Sequence, residues 1–113
     1  MAATKFLPVL ALALIPTTGF LGDRAFAGDL MAGKAKAEAT CQVCHGLDGI
    51  GTMPMFPNLA GQKALYLEQQ LKAFRDGSRQ SEVMAIVIRD LSDQDIENLA
   101  AYYESLPHAG AGE

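Results

Sequence analysis

Two cysteines and a histidine stand together in the segment Cys41-Gln42-Val43-Cys44-His45. This C-x-x-C-H spacing is the attachment signature of a c-type haem. Each thiol can add across one vinyl group of the porphyrin, and the two-residue spacer matches the separation of the two vinyls. His45 follows the second cysteine directly, so its imidazole can bind the iron. We therefore predict one covalently attached haem c, held by Cys41 and Cys44, with His45 as an axial iron ligand.

Other chemistries for the same five residues have less support. A thioredoxin-like C-x-x-C needs a βαβ context, and no alternating strand pattern surrounds this one. A structural zinc site needs four Cys or His ligands, whereas the whole chain has two Cys and two His. The second histidine, His108, lies in a Gly- and Ala-rich tail. A disulfide between the two cysteines is the remaining alternative.

Residues 1–27 have the pattern of a cleavable secretory signal. Lys5 supplies a positive charge, residues 6–15 form an apolar stretch, and an A-x-A cleavage site ends at Ala27. An uncleaved membrane anchor is disfavoured because the apolar stretch is shorter than the about 20 residues that a spanning helix needs. Export agrees with the predicted cofactor, since bacteria attach c-type haem outside the cytoplasmic membrane. We predict a periplasmic protein with no stable membrane anchor after cleavage.

The remainder has the size of one small domain. We assign residues 28–107 to a haem domain and residues 108–113 to a disordered tail. The net charge is −4 for the whole chain and −5 without its first 27 residues, and no basic stripe suggests binding to nucleic acid. So short a chain buries only a modest core by itself. A porphyrin at its centre would supply much of the missing apolar surface.

The pattern of the domain is helical, with no strand signal. It predicts helices over 28–40, 62–76, 82–89 and 92–106, and a Gly- and Pro-rich loop over 46–61. Gly77 is placed to end the second of these helices. Ser92 and Asp95 have the spacing of a capping box at the start of the last. Four residues of this last helix make one apolar face: Ile96, Leu99, Ala100 and Tyr103. We expect an all-α fold wrapped around one haem.

The order of these elements resembles that of class I cytochromes c: helix, C-x-x-C-H, Gly/Pro loop, helix, methionine-bearing loop, terminal helix. More narrowly, the chain resembles a single-haem version of one cytochrome c4 domain or a bacterial cytochrome c553, and the match covers nearly all of 29–106. The extra cysteine pair of the cytochrome c5 type is missing. The resemblance is carried by the segments 41–46, 48–49, 56–62, 66–67, 70–71, 91–93 and 99–103, with Phe74, Gly77, Arg79 and Met84.

A second axial ligand has several candidates, and chain reach does not exclude the two methionines nearest the motif. The resemblance implies Met84 as this ligand. In the resembling family, the carbonyl of the proline at the position of Pro57 accepts the N–H of the proximal histidine. That bond would keep Met53 and Met55 on the His45 side of the ring, where flexible apolar lining is their simpler role. The full set of candidates is Met31, Met53, Met55, Met84 and His108.

The resemblance also assigns packing roles to several other residues. It implies that Tyr102 packs on Gly33 where the first and last helices cross. Arg79 has two open interpretations, as a partner of a haem propionate and as a solvated surface side chain. We expect three aromatic residues in the haem pocket or the core: Phe56, Tyr66 and Phe74.

A haem iron with two tight protein ligands has no open position for a substrate, which favours electron transfer over catalysis. Methionine ligation also raises the reduction potential. We expect a soluble periplasmic one-electron carrier and not an enzyme, with redox proteins such as a respiratory complex or an oxidase as donor and acceptor. The alternative is the cytochrome c subunit of a larger periplasmic dehydrogenase. A gas sensor or peroxidase-like protein would need a vacant sixth position.

Charge is unevenly distributed along the domain. Residues 62–79 have a net charge of +2 and residues 80–104 a net charge of −5. Ordinary solvated helix faces would explain this pattern. The alternative is a dipole that orients the protein on a charged partner by long-range steering.

Overall fold

The computed structural model of the chain describes residues 28–111, together with the short stretches 2–5, 7–9, 11 and 13. Most of the predicted signal, including its cleavage site at Ala27, and the last two residues lie outside the described residues. The described part contains five helices and no strand, which confirms the all-α architecture. None of these helices is long and apolar enough to cross a membrane. The helices are α1 (Leu30–Thr40), α2 (Gln42–His45), α3 (Ala64–Asp76), α4 (Glu82–Ile88) and α5 (Asp93–Ser105).

The helix ends follow the local chemistry of the sequence. The Asp29 carboxylate accepts two backbone N–H groups of the first turn of α1, at 2.8 and 3.0 Å, and thereby satisfies donors that have no partner within the helix. Gly77 ends α3 in the left-handed region at φ +85°. The predicted capping box of Ser92 and Asp95 is present at the start of α5. Capping therefore confirms three boundaries to within one or two residues.

Helices α1 and α5 approach each other so closely that one crossing position must be glycine. A Cβ built on Gly33 would lie 2.0 Å from the Asn98 carbonyl oxygen and 2.8 Å from the Tyr102 Cβ. This contact confirms the predicted packing of Tyr102 on Gly33. The buried Asn98 side chain adds a second link, because its Oδ1 accepts the backbone N–H of Asp29 at 2.8 Å.

The core lies between α1, α3 and α5. The predicted face of α5 is buried, with Ile96, Leu99 and Ala100 each at most 1% exposed. Ala37 of α1 and Ile88 at the end of α4 complete the innermost layer. Only Ile88, Ile96 and Leu99 are large side chains that are fully buried among the described residues, so this core is small.

Two local features differ from the expectations. Helix α2 is a single turn that directly follows α1, and helical periodicity cannot be detected over four residues. The resemblance implied a methionine-bearing loop, but Met84 lies in the first turn of α4, inside the helix predicted over 82–89. The N-cap Ser81 accepts the Met84 backbone N–H at 3.2 Å. Residues 108–111 form a turn, closed by a bond from the Ala111 N–H to the His108 carbonyl at 3.0 Å. The disordered tail stays a prediction.

We expect Gly33→Ala to destabilise the protein by about 1–3 kcal/mol, the usual cost of overpacking. The added methyl group would meet the backbone of α5, which a rotamer change cannot relieve. Helix propensity acts in the opposite direction, since alanine is better than glycine in a helix by about 0.5–1 kcal/mol. Urea unfolding measures the difference.

The matched control is Ala35→Gly at an exposed position of the same helix, which should cost about 0.5–1 kcal/mol. If propensity alone decided the result, the two substitutions would have opposite signs. A stabilised Gly33→Ala variant would contradict the close crossing.

Candidate functional site

A cavity of about 460 Å³ opens between the short helix α2 and the faces of α3, α4 and α5. The structure brings all five of the predicted site residues to its wall: Cys41, Cys44, His45, Pro57 and Met84. Cys41 lies between α1 and α2, Cys44 and His45 lie in α2, and the other two residues come from the Gly/Pro loop and from α4. The volume falls within the roughly 300–1,000 Å³ typical of small-molecule and cofactor sites.

The His45 side chain is held in one orientation by a hydrogen bond. Its Nδ1 lies 2.8 Å from the Pro57 carbonyl oxygen, and the residue is 8% exposed. A carbonyl can only accept, so Nδ1 must carry the proton that it donates. In the neutral imidazole, Nε2 then keeps its lone pair and is free to bind a metal, as in other metal sites where the second ring nitrogen is fixed by a hydrogen bond.

The loop that carries Pro57 is braced by its own backbone. The Gly49 carbonyl accepts two N–H groups from the residues just beyond Pro57, at 2.7 and 3.0 Å, and the Asn58 Oδ1 accepts the Gly51 N–H at 2.8 Å. Gly49 has φ +75°, and a Cβ there would lie 2.7 Å from the backbone of Ala60. This glycine allows the loop to fold back on itself and present the Pro57 carbonyl to His45.

The C-x-x-C-H motif forms a rigid corner between α1 and α2. The Cys41 N–H continues the α1 pattern to Ala37 at 2.9 Å, and the His45 N–H returns to the Cys41 carbonyl at 3.0 Å. Thr52 ties the following loop to the corner through its backbone N–H, 2.9 Å from the Cys44 carbonyl. Both thiols are free and not joined in a disulfide, and both side chains line the cavity.

The electrostatics of the wall favour neutral groups around Cys41. Burial raises the pKa of the Cys41 thiol to about 11, and the neighbouring Tyr103 hydroxyl and Lys36 partly oppose that shift. Burial, together with the nearby Cys41, raises the pKa of Tyr103 well above its usual range. Both groups are therefore uncharged near pH 7. The cavity wall at this end is apolar and suits the face of a porphyrin.

The Tyr103 hydroxyl is buried and has no hydrogen-bond partner among the described residues. It lies close enough to Cys41 to influence the pKa of that thiol, yet it makes no bond of ordinary geometry to any residue that the structure describes. A buried donor without a partner costs free energy. Together with the volume, the two thiols and the oriented imidazole, this unpaired donor on the cavity wall fits a haem that is attached to the chain.

The candidates for the second axial ligand occupy different environments. Met84 is half-buried and lines the cavity, and Met55 also lines it but is 69% exposed. Met31 and Met53 are exposed and are absent from the wall. The ring of His108 lies against Gly61, outside the lining of the cavity. The geometry therefore leaves two methionines beside the site.

Three aromatic residues line the cavity, in agreement with their predicted place in the haem pocket or the core: Phe56, Tyr66 and Phe74. Arg79 is exposed at the rim, with its guanidinium 4.5 Å from the centroid of the Phe74 ring and its Nη1 2.7 Å from the Gln70 Oε1. These contacts hold Arg79 beside the opening. Its pairing with a propionate stays a prediction.

Sequence reasoning placed Tyr103 on the apolar face of the last helix but not on the wall of the haem site, and it did not single out Asn98. Tyr103 continues the buried face of α5 one turn beyond Leu99, and that spacing is the signal that could have placed it on the wall. Asn98 gave no signal, because an isolated asparagine in a helix is usually exposed. No cluster of three or more Cys, His, Asp or Glu side chains suited to a metal ion occurs among residues 28–111.

Comparison with known proteins agrees with this geometry. Residues 30–107 match the family model of cytochrome c. Cytochrome c-554(548) of Halomonas halodenitrificans is 50% identical over 82 residues, which are 70% of this chain and 98% of that protein. The thiosulfate dehydrogenase electron acceptor of Thiomonas intermedia is 35% identical over 94% of this chain and 48% of its own length.

The crystal structure of reduced recombinant cytochrome c4 from Pseudomonas stutzeri superposes with a TM-score of 0.66 and 41% identity. The match covers 72% of this chain and 47% of that chain. This chain therefore spans about half the length of the cytochrome c4 relatives that it matches.

Replacing both thiols, Cys41→Ala with Cys44→Ala, should give little haem-loaded protein and a largely unfolded chain. The reason is the small core, which surrounds a cavity that the chain alone leaves unfilled. Circular dichroism and thermal melting, with haem absorbance as the measure of loading, test this. The matched control is Val43→Ala, which changes an 82% exposed side chain between the two cysteines. A double mutant that stays folded and melts cooperatively without haem would contradict the dependence.

Proposed function

The chain belongs to the cytochrome c family, and from that premise we propose that it is a soluble periplasmic one-electron carrier with a His/Met-ligated haem c, and not an enzyme. The observation that carries this proposal is the meeting of two thiols, an imidazole and a thioether on the wall of one apolar cavity. Covalently bound haem c supplies a single electron per cycle by changing between ferrous and ferric iron. The roles of individual residues follow from the contacts described above.

His45 is the proposed proximal ligand. The Pro57 carbonyl, 2.8 Å from Nδ1, selects the tautomer whose Nε2 can bind iron and resists rotation of the ring. The braced loop behind Pro57 keeps this acceptor in place when the iron changes its charge. A ligand held in this way limits the structural change on electron transfer, which favours a carrier.

Met84 is the proposed second ligand. It lines the cavity, and its place in the first turn of α4 is held by the Ser81 cap. Met55 also lines the cavity, but it lies two residues before Pro57, whose carbonyl holds the imidazole. A segment anchored to the His45 side of the cavity is poorly placed to reach the opposite side. Thioether sulfur favours the reduced state, so this ligand would raise the potential.

The periplasmic location is proposed from the sequence. The apolar stretch and the A-x-A site at Ala27 support a cleavable signal. Covalent attachment of haem to C-x-x-C-H outside the cytoplasmic membrane supports the same location. Mass spectrometry of the purified protein would test the predicted cleavage after Ala27, because it identifies the mature amino terminus.

The cytochrome subunit of a larger periplasmic dehydrogenase is the second candidate. A relative named as the electron acceptor of thiosulfate dehydrogenase supports a carrier that works with a dehydrogenase. A free carrier and a subunit differ in whether a second chain stays bound. Purification at native abundance, followed by size-exclusion chromatography, distinguishes them.

Met84→Ala should leave the haem attached and open the sixth coordination position. We expect the sulfur-to-iron charge-transfer band of the oxidised protein to disappear, the potential to fall, and the reduced protein to bind CO readily. Absorption spectra and a redox titration measure these changes.

Met55→Ala is the matched control, because it removes a second methionine from the same cavity wall. It should preserve the charge-transfer band and the resistance to CO. The assignment is wrong if the two variants show the reverse pattern.

Long-range steering toward a charged partner depends on the charges that stay exposed. Part of the charge asymmetry is neutralised within the chain, since Arg75 pairs with Asp93, and Lys36 lies 3.4 Å from Asp95. Exposed acidic groups remain at Glu82 and Glu104. The apolar side chains at the cavity mouth could supply close contact after steering.

The rate of electron transfer with a basic redox partner should fall as salt rises, since steering between exposed charges is screened beyond about 8 Å at physiological ionic strength. Stopped-flow reduction from low to high salt measures this. A small uncharged reductant is the control and should react at a rate that salt does not change. A flat rate with the protein partner would instead support an apolar docking surface without steering.

A further inference from the structure

Tyr103 brings an unpaired donor to the cavity wall beside one of the two attachment points. The residue is 3% exposed, and its hydroxyl has no hydrogen-bond partner among the described residues. The Cys41 side chain packs against the buried core cluster that includes Tyr103, and both residues line the cavity. Neither the axial ligands nor the attachment chemistry uses this hydroxyl.

Attachment changes what the Cys41 sulfur can do. The S–H bond adds across a vinyl group, so that sulfur bonds to one vinyl carbon, hydrogen passes to the other, and the double bond becomes a single bond. The thiol can act as a weak donor or a weak acceptor, whereas the thioether can only accept. The Tyr103 hydroxyl, which can donate, then lies near an atom whose only hydrogen-bonding role is that of a weak acceptor.

We propose that in the haem-loaded protein the Tyr103 hydroxyl donates a hydrogen bond to the Cys41 thioether sulfur, and that this positioning contact raises the reduction potential. The proposal deepens the proposed function, on which it rests for the presence of the attached haem. Tyr103 touches neither the iron nor an electron-transfer partner in this role. It acts through Cys41.

The direction of the effect follows from electrostatics. A hydroxyl that points its hydrogen at the sulfur brings a partial positive charge to the edge of the porphyrin. The oxidised haem carries one more positive charge than the reduced haem, so the contact disfavours oxidation and raises the potential. Burial strengthens the effect, because a low local dielectric increases the interaction. Hydrogen bonds near a redox centre are an established means by which proteins adjust its potential.

Tyr102 provides a matched control within the same helix. It is 8% exposed, and its ring centroid lies 5.2 Å from that of Tyr103. Its hydroxyl already has a partner, since it donates to the Leu47 carbonyl at 2.5 Å. Tyr102→Phe and Tyr103→Phe therefore remove the same atom from neighbouring buried residues, but only one of these hydroxyls lies beside Cys41.

The test compares Tyr103→Phe and Tyr102→Phe as haem-loaded proteins by redox titration and chemical denaturation. We expect Tyr103→Phe to shift the midpoint potential downward and to leave the denaturation midpoint the same or lower. Tyr102→Phe should lower the denaturation midpoint while its potential stays at the wild-type value. An unchanged potential for Tyr103→Phe would overturn the proposal, and a higher denaturation midpoint in the same variant would show that the hydroxyl is still unpaired.

The identity of the acceptor is tested separately. In a Cys41→Ala background, with haem attached through Cys44 alone, Tyr103→Phe should no longer move the potential. A shift that persists there would assign the hydroxyl to another acceptor and overturn the proposal.

Proton NMR of the reduced wild-type protein is a test that does not require the Cys41→Ala variant to attach haem. It should show a slowly exchanging Tyr103 hydroxyl proton with a nuclear Overhauser effect to the Cys41 side chain. The absence of this signal would count against the contact. CO binding by the reduced wild type tests axial ligation by itself, so a failure of the carrier proposal would be recognised without reference to Tyr103.

Discussion

The hydrogen bond from His45 to the Pro57 carbonyl is the contact on which the site depends. It is the interaction that distinguishes the two ring nitrogens, because a carbonyl oxygen accepts and cannot donate. Without it, an imidazole at the end of a single-turn helix could rotate or adopt the other tautomer. Much of the surrounding structure serves this bond: the α1–α2 corner fixes the histidine backbone, and the folded loop fixes the carbonyl.

The crossing of helices α1 and α5 provides the rigid frame that supports the His45–Pro57 hydrogen bond. Helices α1 and α5 pack through backbone contact at Gly33, and Asn98 links α5 to the N-terminal cap of α1. The corner that carries the two thiols continues directly from α1, so the crossing also positions the attachment points. The Tyr102 hydroxyl connects α5 to the carbonyl of Leu47, just after the motif. A frame made from two helices thus holds a site that is built mostly from loops and short turns.

The parts that could be predicted from the sequence are those that leave a local signature. Helix α5 has a capping box and an apolar stripe, α3 ends at a glycine, and C-x-x-C-H specifies its cofactor by covalent chemistry. The turn α2 is too short to show a period. The short helix predicted over 82–89 contains Met84 and is present, with Ser81 as its cap, whereas the resemblance implied a methionine-bearing loop. The roles of Tyr103 and Asn98 come from contacts with residues far away in sequence. No local sequence pattern predicts contacts that only the tertiary fold creates.

Stability and redox function share one cause in a domain of this size. Only three large side chains are fully buried within the described residues, and two of them, Ile88 and Leu99, line a cavity of about 460 Å³. An empty apolar cavity forfeits packing contacts on every side, and a small chain has little apolar burial with which to offset that loss. The group that fills the cavity therefore completes the core as well as supplying the electron. It follows that residues on the cavity wall cannot be divided into structural and functional sets. Any change that loosens the packing around His45 and Pro57 also changes the environment that sets the reduction potential.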